Sequence, residues 1–324
     1  MLASRSNQVR SEEQREEILR ACSRATSFIL QGQDVDGAWR DFRLTPGRSD
    51  AWVTAYVGSR LLRSAQKNSG LELPPAIQHA LRFLAEARHK SGGWGYNVGC
   101  EADADSTAQA ILFFRKARYH VPLRDYATLA RFQLPDGAFA TYKTPRPQHG
   151  WGHGHPDVTA VVLQALAAVL PPDHTILLRG YASLDAHLRG RHPWASYWWS
   201  SPLYLARELL VLHKSHPEAP RPPILPPQVP QDANCFEIAL GLEVALLRNE
   251  PFPQVSGMAQ RLLTLQEADG GWRSAPILRI TDPRSQSLDD AFCRNSPVAG
   301  DGRRLFTSAT ALAALIRYDR LRRN

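Results

Sequence analysis

The sequence predicts an all-α fold, a single α/α barrel or toroid of about eleven or twelve helices that spans residues 1–324. Three observations lead to this prediction. A short motif recurs along the chain, which indicates an architecture of helical repeats. Nearly apolar helical stretches alternate with polar-faced ones, as expected for an inner and an outer layer. Stretches rich in Ala, Leu and Arg dominate, and few period-two runs of β-branched residues occur.

The recurring motif is a Gly-x-aromatic turn that follows Gln or Arg at constant spacing. In its first copy Gln33, Gly37 and Trp39 follow a helical stretch that ends near Phe28. We expect the glycine to supply the backbone angles that end a helix, the aromatic ring to pack on the neighbouring repeat, and the glutamine to bond a free helix terminus. The later copies of these Gln-Gly-Trp turns are Arg88-Gly92-Trp94, Gln133-Gly137-Phe139 and Gln266-Gly270-Trp272, with a degenerate version ending at Trp194.

Each turn is followed by a loop and then by a mostly apolar stretch that we predict to be an inner helix. These stretches begin near Asp50, Asp105, Asp157, Ser201 and Thr307. One break interrupts the pattern, because seven prolines between His213 and Gln231 exclude a helix there. We predict that residues 214–231 form a proline-rich crossing loop on the barrel, since the repeat resumes at Gln266 and closure of the ring needs the last helices.

Composition and charge exclude several classes of protein. The chain carries 39 Lys and Arg against 31 Asp and Glu, a formal net charge of +8. No basic stripe with interleaved aromatic residues occurs, so nucleic acid is not a predicted partner. The cysteines show no metal-ligand or disulfide spacing; they are Cys22, Cys100, Cys235 and Cys293. No apolar signal core and no long uncharged apolar run is present, so we predict a cytoplasmic protein.

The Gln-Gly-Trp turns, in an all-helical chain, resemble the QW repeats of the squalene-hopene and oxidosqualene cyclase superfamily. The resemblance extends roughly from Phe28 to Leu321. It implies an α/α barrel with class II terpene cyclase activity, in which an acid protonates the substrate and rings close through carbocations. The chain has the length of one such barrel, whereas squalene cyclases have two, and it is similar in size to bacterial meroterpenoid cyclases.

A second, sharper resemblance lies in the segment Asp103-Ala104-Asp105-Ser106-Thr107-Ala108, which is similar to the D-x-D-D-T-A acid motif of squalene-hopene cyclases. It implies that Asp105 protonates the terminal alkene or epoxide and that Asp103 is its companion. Ser106 departs from the second Asp of that motif. Protonation of an alkene requires a strong acid that is kept protonated and away from bulk water.

The residue types around this segment fit such an acid. Ser106 to Gln109 matches a capping box, which would place Asp105 beside a helix N-terminus whose dipole favours its anion. An apolar barrel would act in the opposite direction and retain the proton. A purely structural interpretation stays open, since Asp followed by Thr also occurs at Asp50 and Asp157, and such acids commonly begin helices.

Other residues are predicted to assist the acid or to bind the substrate. By the same resemblance, a histidine of the segment His153-Gly154-His155 hydrogen-bonds the acid, and we favour His155. A travelling cation needs electron-rich walls, each aromatic face contributing roughly 0.5–2 kcal/mol. The aromatic residues predicted to bind substrate are Trp52, Tyr56, Phe113, Trp151, Trp198 and Trp199.

The predicted partner is an apolar isoprenoid small molecule, and protonation requires no metal. Mg²⁺ would be needed only for a diphosphate head group. An apolar substrate also predicts transient contact with a membrane, for which the Arg-rich C-terminal helix is the candidate. Protein prenyltransferase and lanthionine cyclase functions are weak alternatives, because their zinc-binding Cys and His motifs are absent from the sequence. A non-catalytic toroid that binds an apolar or prenylated ligand is the main alternative.

Overall fold

The computed structural model describes residues 2–65, 74–143, 150–222, 228–284 and 295–322. Within these ranges the chain forms eleven α-helices joined by loops, together with one short 3-10 turn at Gly150–Gly152. The helices, in chain order, are α1 (Leu2–Gln31), α2 (Ala51–Ala65), α3 (Pro75–Glu86), α4 (Ala104–Lys116), α5 (Leu123–Ala130), α6 (Pro156–Ala167), α7 (Thr175–Leu188), α8 (Pro202–Ser215), α9 (Cys235–Leu247), α10 (Phe252–Leu265) and α11 (Leu305–Leu321).

The helices form two layers, and the predicted all-α toroid is confirmed. The inner layer is a closed ring of α2, α4, α6, α8, α9 and α11, in which each helix packs against the next and α11 returns to α2. The inner helices are buried along most of their length, α9 most completely, because both their faces contact protein. The outer helices α1, α3, α5, α7 and α10 pack against this ring.

Four short strands were not predicted from the sequence. β1 (Arg43–Leu44) pairs antiparallel with β2 (Gly47–Arg48), and β3 (Pro276–Arg279) pairs antiparallel with β4 (Val298–Gly300). Both ladders lie in loops that precede inner helices. They are too short to show the period-two pattern by which strands are recognised in a sequence.

The Gln-Gly-Trp turns join neighbouring repeats, as predicted. The Gln33 amide donates to the carbonyl of Gly37 and to that of Ala76 at the start of α3, both at 2.8 Å. The indole of Trp39 is fully buried and donates to the carbonyl of Ile29. Gly37 has a φ of +90°, and a Cβ there would lie 2.5 Å from a carbonyl oxygen of α3, so only glycine fits this turn.

The other turns repeat this arrangement with one variation. Gln133 donates to the carbonyl of Ile176 at the start of α7, and Gln266 does the same with a carbonyl of α1. In the second turn Arg88 replaces the glutamine and forms an ion pair with Asp125 in the first turn of α5. In each case a polar side chain of one repeat therefore bonds an outer helix of the next.

The proline-rich segment stands in chain order where a sixth outer helix would lie, between α8 and α9. Its described parts, residues 216–222 and 228–234, contain no helix, and Val229 packs against the hydrophobic core. Of the predicted crossing loop 214–231, residues 223–227 lie outside the described residues. α8 extends to Ser215, so the loop begins slightly later than predicted.

The C-terminal helix differs from the surface helix expected for membrane contact. α11 belongs to the inner ring, and its side chains are buried from Leu305 almost to its last turn. Only the final turn with Arg320 and Arg322 reaches the surface, and Arg323 lies outside the described residues. Among the helices that the structure describes, none combines the length and apolar composition needed to cross a bilayer.

Candidate active site

A cavity of about 660 Å³ lies at the end of the barrel where the inner helices begin. Its walls are mostly apolar. Loops that include β1, β3 and the segment 96–101 form its mouth. Six of the residues predicted for the site line this cavity: Trp52, Asp103, Asp105, Trp151, Trp198 and Trp199.

Asp103 caps the N-terminus of α4. Its carboxylate accepts hydrogen bonds from the backbone N–H and from the hydroxyl of Ser106, each at 2.7 Å. The capping box predicted to begin at Ser106 is therefore wrong, because the backbone is extended at Asp103 and the helix already begins at Ala104. Burial raises the pKa of Asp103 to about 7.

Asp105 lies in the first turn of α4 and contributes to the cavity wall. Its carboxyl group accepts no hydrogen bond from any residue that the structure describes. Burial raises the pKa of Asp105 well above its usual range, and the charges of Asp103, Asp157 and Glu208 raise it further. All these effects act in the same direction and favour the protonated form of the side chain.

The repeats place a second acid at the position of Asp105. In each repeat a hydroxyl on the inner helix accepts a hydrogen bond from the backbone N–H of the turn aromatic, as Thr107 does from Trp94. The equivalent hydroxyls belong to Thr54, Thr159 and Ser308. The positions two residues before these hydroxyls are, in chain order, Trp52, Asp105, Asp157 and Phe306. The positions four residues before them are Asp50, Asp103, His155 and Arg304.

This alignment of the repeats shows that Asp50 and Asp157, although each is followed by a threonine, occupy different positions in their repeats. Asp50 corresponds to the capping Asp103, whereas Asp157 corresponds to Asp105. Asp157 is buried, and its Oδ2 accepts a hydrogen bond of 3.0 Å from the backbone N–H of Trp198. Burial raises the pKa of Asp157. A second buried acid thus supports the loop that carries the cavity tryptophans.

His155 precedes α6 and is buried behind the cavity wall. Its ring stacks on Tyr197 with a centroid distance of 3.7 Å, and burial lowers its pKa to about 3, so the imidazole is neutral. Its Nε2 has no hydrogen-bond partner among the described residues. The structure therefore shows no hydrogen bond between His155 and either aspartate of α4, because the ring packs against Tyr197 instead.

Two of the predicted aromatic residues lie away from this cavity. Tyr56 is one helical turn deeper than Trp52, where its hydroxyl bonds Thr310 and accepts from Arg60. Phe113 is fully buried and packs against α2 at Gly58. The helical spacing of aromatic residues could not show which of them line the cavity, since residues that face the cavity and residues that pack between helices recur with the same period.

Hydrogen bonds and ring contacts fix the tryptophan side chains that line the cavity. The indole N–H of Trp198 donates to the Thr141 hydroxyl at 2.8 Å, and that of Trp151 donates to the Thr281 hydroxyl at 2.9 Å. On the opposite wall Trp52 packs edge-on against Trp199. These contacts fix ring orientations before any substrate enters.

Several lining residues were missed by sequence reasoning because they lie in loops without a repeat motif, most of them distant from the acid motif in the chain. They are Leu44, Tyr96, Glu101, Tyr142, Leu278, Arg279 and Ile280, among others. Phe306 packs beneath the wall against Trp52 and Trp199. Only Phe306 carried a sequence signal, since it occupies the repeat position of Asp105. Among the described residues, no group of three or more His, Cys, Asp or Glu side chains could hold a metal ion.

Solved structures share this architecture. The type II terpene cyclase MstE from Scytonema matches with a TM-score of 0.80 at 23% identity, over 96% of this chain and 99% of that one. The chain has the fold of the type II terpene cyclases. MstE has been solved with its substrate, geranylgeranyl dihydroxybenzoate, and with its product, merosterolic acid A. A protein from Actinoplanes matches with a TM-score of 0.73 at 25% identity, over 93% of this chain and 99% of that one.

The same toroid also carries other chemistry. An unsaturated glucuronyl hydrolase specific for heparin matches with a TM-score of 0.59 at 12% identity, over 96% of this chain and 98% of that one. No protein-family model and no curated protein matches the chain. Function must therefore be argued from the site.

Proposed function

We propose that this protein is a type II terpene cyclase, in which Asp105 protonates the terminal alkene or epoxide of a polyprenyl substrate. The observation that carries the proposal is the state of Asp105. Its side chain is partly buried in the wall of an aromatic cavity, and its carboxyl group has no hydrogen-bond partner among the described residues. A carboxyl group in this setting stays protonated until an electron-rich alkene is placed against it.

The reaction follows from this geometry. The alkene takes the proton of Asp105, a C–H bond forms as the O–H bond breaks, and positive charge appears on the more substituted carbon. The next alkene of the folded chain attacks this carbon and closes a ring, and loss of a proton ends the sequence. The product is then an isomer of the substrate. The Asp105 anion lies in the first turn of α4, where the helix dipole stabilises it.

The cavity walls serve the cation and exclude water. The side chains of Trp52, Trp198 and Trp199 line the cavity. An aromatic ring whose face is open to the cation can stabilise it by roughly 0.5–2 kcal/mol. The buried Asp103 and Asp157 sustain the high proton affinity of Asp105. A supporting role for His155 remains a prediction.

The substrate class that we propose is a polyprenyl chain attached to an aromatic acid. The support is the likeness in fold to MstE, whose substrate has this form, and a cavity of about 660 Å³ that suits an elongated apolar molecule. The protonation step needs no metal, and Mg²⁺ would have a role only with a diphosphate head group. The cytoplasmic location and transient membrane contact remain predictions.

The test is turnover of geranylgeranyl dihydroxybenzoate by purified protein in heavy water with a metal chelator present, followed by mass spectrometry. We expect a product that differs from the substrate by one deuterium for hydrogen, because Asp105 delivers a solvent-derived proton and one substrate proton is lost. Asp105→Asn should lower turnover by at least about 1,000-fold, since the amide cannot donate a comparable proton.

The matched control is Asp136→Asn, which makes the same chemical change in a surface turn and retains the acceptor that bonds Ala138. It should leave turnover unchanged. Product formation by folded Asp105→Asn would remove Asp105 from this role. If the wild type forms no product from prenylated aromatic acids, free polyprenols or polyprenyl diphosphates, a non-catalytic toroid would be favoured.

A further inference from the structure

A second cavity of about 370 Å³ lies at the opposite end of the barrel, where the inner helices end. Its lining is charged and includes Arg60, Arg207 and Glu208. The buried Glu243 accepts hydrogen bonds from Arg60 at 2.9 Å and from Arg207 at 2.8 Å. Charged side chains keep water in a cavity of this size, so the barrel has an apolar, aromatic end and a hydrated, charged end.

The two cavities are separated by a single helical turn. On α2, Trp52 lines the first cavity and Tyr56 the second, and on α4, Asp105 lines the first and Gln109 the second. Residues four apart on a helix are about 6 Å apart along its axis. The water of the charged cavity therefore lies about one turn below the acid.

A stacked pair of aromatic rings lies between the cavities. The Tyr204 ring lies against Trp199 with a centroid distance of 4.1 Å and an interplanar angle of 16°. Both side chains are buried. The hydroxyl of Tyr204 accepts a hydrogen bond of 3.4 Å from Gln109, which lines the charged cavity, whereas Trp199 lines the aromatic one. The pair therefore extends from one cavity to the other.

We infer that the stacked rings of Trp199 and Tyr204 form a partition that keeps the water of the charged cavity away from Asp105 and from the first cation. Tyr204 is a positioning residue in this inference, which rests on the proposed function. Other charged groups near Asp105 are Asp103 on its own helix, Asp157 on α6 and Glu208 on α8. Glu101 and the cation Arg279 also line the cavity that contains Asp105. Exclusion of water by the partition adds to the effect of the negative neighbours, which retain the proton.

Opening the partition has two chemical consequences. Water that reaches Asp105 hydrates its anion and makes ionisation easier. Water that reaches the first cation forms a C–O bond and then loses a proton to solvent, which gives an alcohol with the mass of the substrate plus one water. Both consequences can be measured separately.

The test compares Tyr204→Ala, which removes the ring, with Tyr204→Phe, which retains it. Tyr204→Leu also removes the ring but leaves a larger side chain than alanine, and it is used if the alanine variant does not fold. Reactions with geranylgeranyl dihydroxybenzoate are run in water labelled with heavy oxygen. We expect Tyr204→Ala to raise the labelled alcohol at least about tenfold over the wild type, and Tyr204→Phe to give the wild-type product ratio. Tyr181→Ala, at a buried tyrosine of the outer helix α7, is the control for loss of a ring elsewhere.

A second measurement does not depend on turnover. The infrared band of the protonated Asp105 carboxyl, assigned by its loss in Asp105→Asn, is followed against pH. Its midpoint should move down by about one pH unit in Tyr204→Ala, a tenfold loss of proton affinity, and should stay in place in Tyr204→Phe.

The outcomes distinguish this inference from the proposed function. A wild type that cyclises, with folded Tyr204→Ala or Tyr204→Leu that gives no labelled alcohol and an unmoved midpoint, overturns the partition alone. A silent wild type overturns the proposed function. A shift of equal size in Tyr204→Phe would assign the effect to the hydroxyl and not to the ring, which also overturns the inference.

Discussion

The carboxylate of Asp103 has two roles that a single substitution can separate. It caps α4 through the backbone N–H of Ser106, and its charge raises the pKa of the neighbouring Asp105. Asp103→Asn retains an oxygen for the cap but carries no charge. Asp103→Ala loses both functions.

We expect Asp103→Ala to lower the free energy of unfolding by about 1 kcal/mol, the usual value of an N-cap, and Asp103→Asn to lower it by a few tenths at most. Both variants should move the alkaline limb of the pH–rate profile to lower pH, since Asp105 loses a negative neighbour. Urea unfolding and turnover against pH would check this. Equal destabilisation by both substitutions would show that the cap contributes little.

At the scale of the element, the Gln-Gly-Trp turns hold the outer helices to the ring. Gln133→Leu and Gln33→Leu each remove two hydrogen bonds to carbonyls. Each should cost about 1–2 kcal/mol of unfolding free energy. The turns are in different repeats and share no partner, so the double variant should cost the sum.

Chemical denaturation of the two single variants and the double variant would measure these costs. Gln260→Leu, at an exposed position of α10, makes the same change without loss of a turn and should leave stability nearly unchanged. If the double variant loses much less unfolding free energy than the sum of the two single variants, then loss of one turn already disrupts the other.

The elements differ in how far the sequence could predict them. The helices and turns are local, with apolar periodicity and a fixed Gln-Gly-Trp spacing, and both could be predicted. The segment 103–108 could be found because it is short and resembles a known motif, and the structure places Asp103 and Asp105 in the cavity wall; the catalytic role of Asp105 stays a prediction. Arg279, Leu278 and Tyr142 reach the cavity only through long-range contacts of loops, for which one sequence carries no local signal. The cap at Asp103 was missed because Ser106 offered an equally good pattern.

At the scale of the whole molecule, the inner helices run parallel and share a charge distribution. The aromatic cavity lies at their N-terminal end, where Asp50, Asp103, Asp105 and Asp157 stand at the N-cap or in the first turn. The charged cavity lies toward their C-terminal end and contains cations as well as the acid Glu208. The acids at the first turns complement the positive ends of the helix dipoles. The barrel thus favours an anion at the mouth end, where Asp105 becomes one during the proposed reaction, and burial delays its formation until substrate is present.

The same buried acids predict that stability depends on pH in an unusual direction. Burial and the nearby charge of Asp301 raise the pKa of Asp41 to about 7, and burial raises that of Asp103 to about 7, whereas an unfolded Asp titrates near 3.8. The folded state therefore binds these protons more tightly. The stabilisation is complete below the unfolded value and is lost as pH rises through the folded one.

Above the pKa of 6.5 of an unfolded histidine, the buried His155 is uncharged in both states, so the two acids set the sign there. We therefore expect the melting temperature to fall as pH rises from about 6.5 to about 8, each acid contributing a slope of at most about 1.4 kcal/mol per pH unit. Asp41→Asn removes one titrating group while retaining an acceptor for the backbone N–H of Arg303. The variant should therefore show a smaller dependence of the unfolding free energy on pH, even though its stability at low pH is lower than that of the wild type. Thermal unfolding of both proteins across this range is the measurement. A melting temperature that rises steadily over this range in the wild type would mean that Asp41 and Asp103 are ionised in the folded barrel, because the buried His155, whose lowered pKa gives the same sign, titrates below this range in both states.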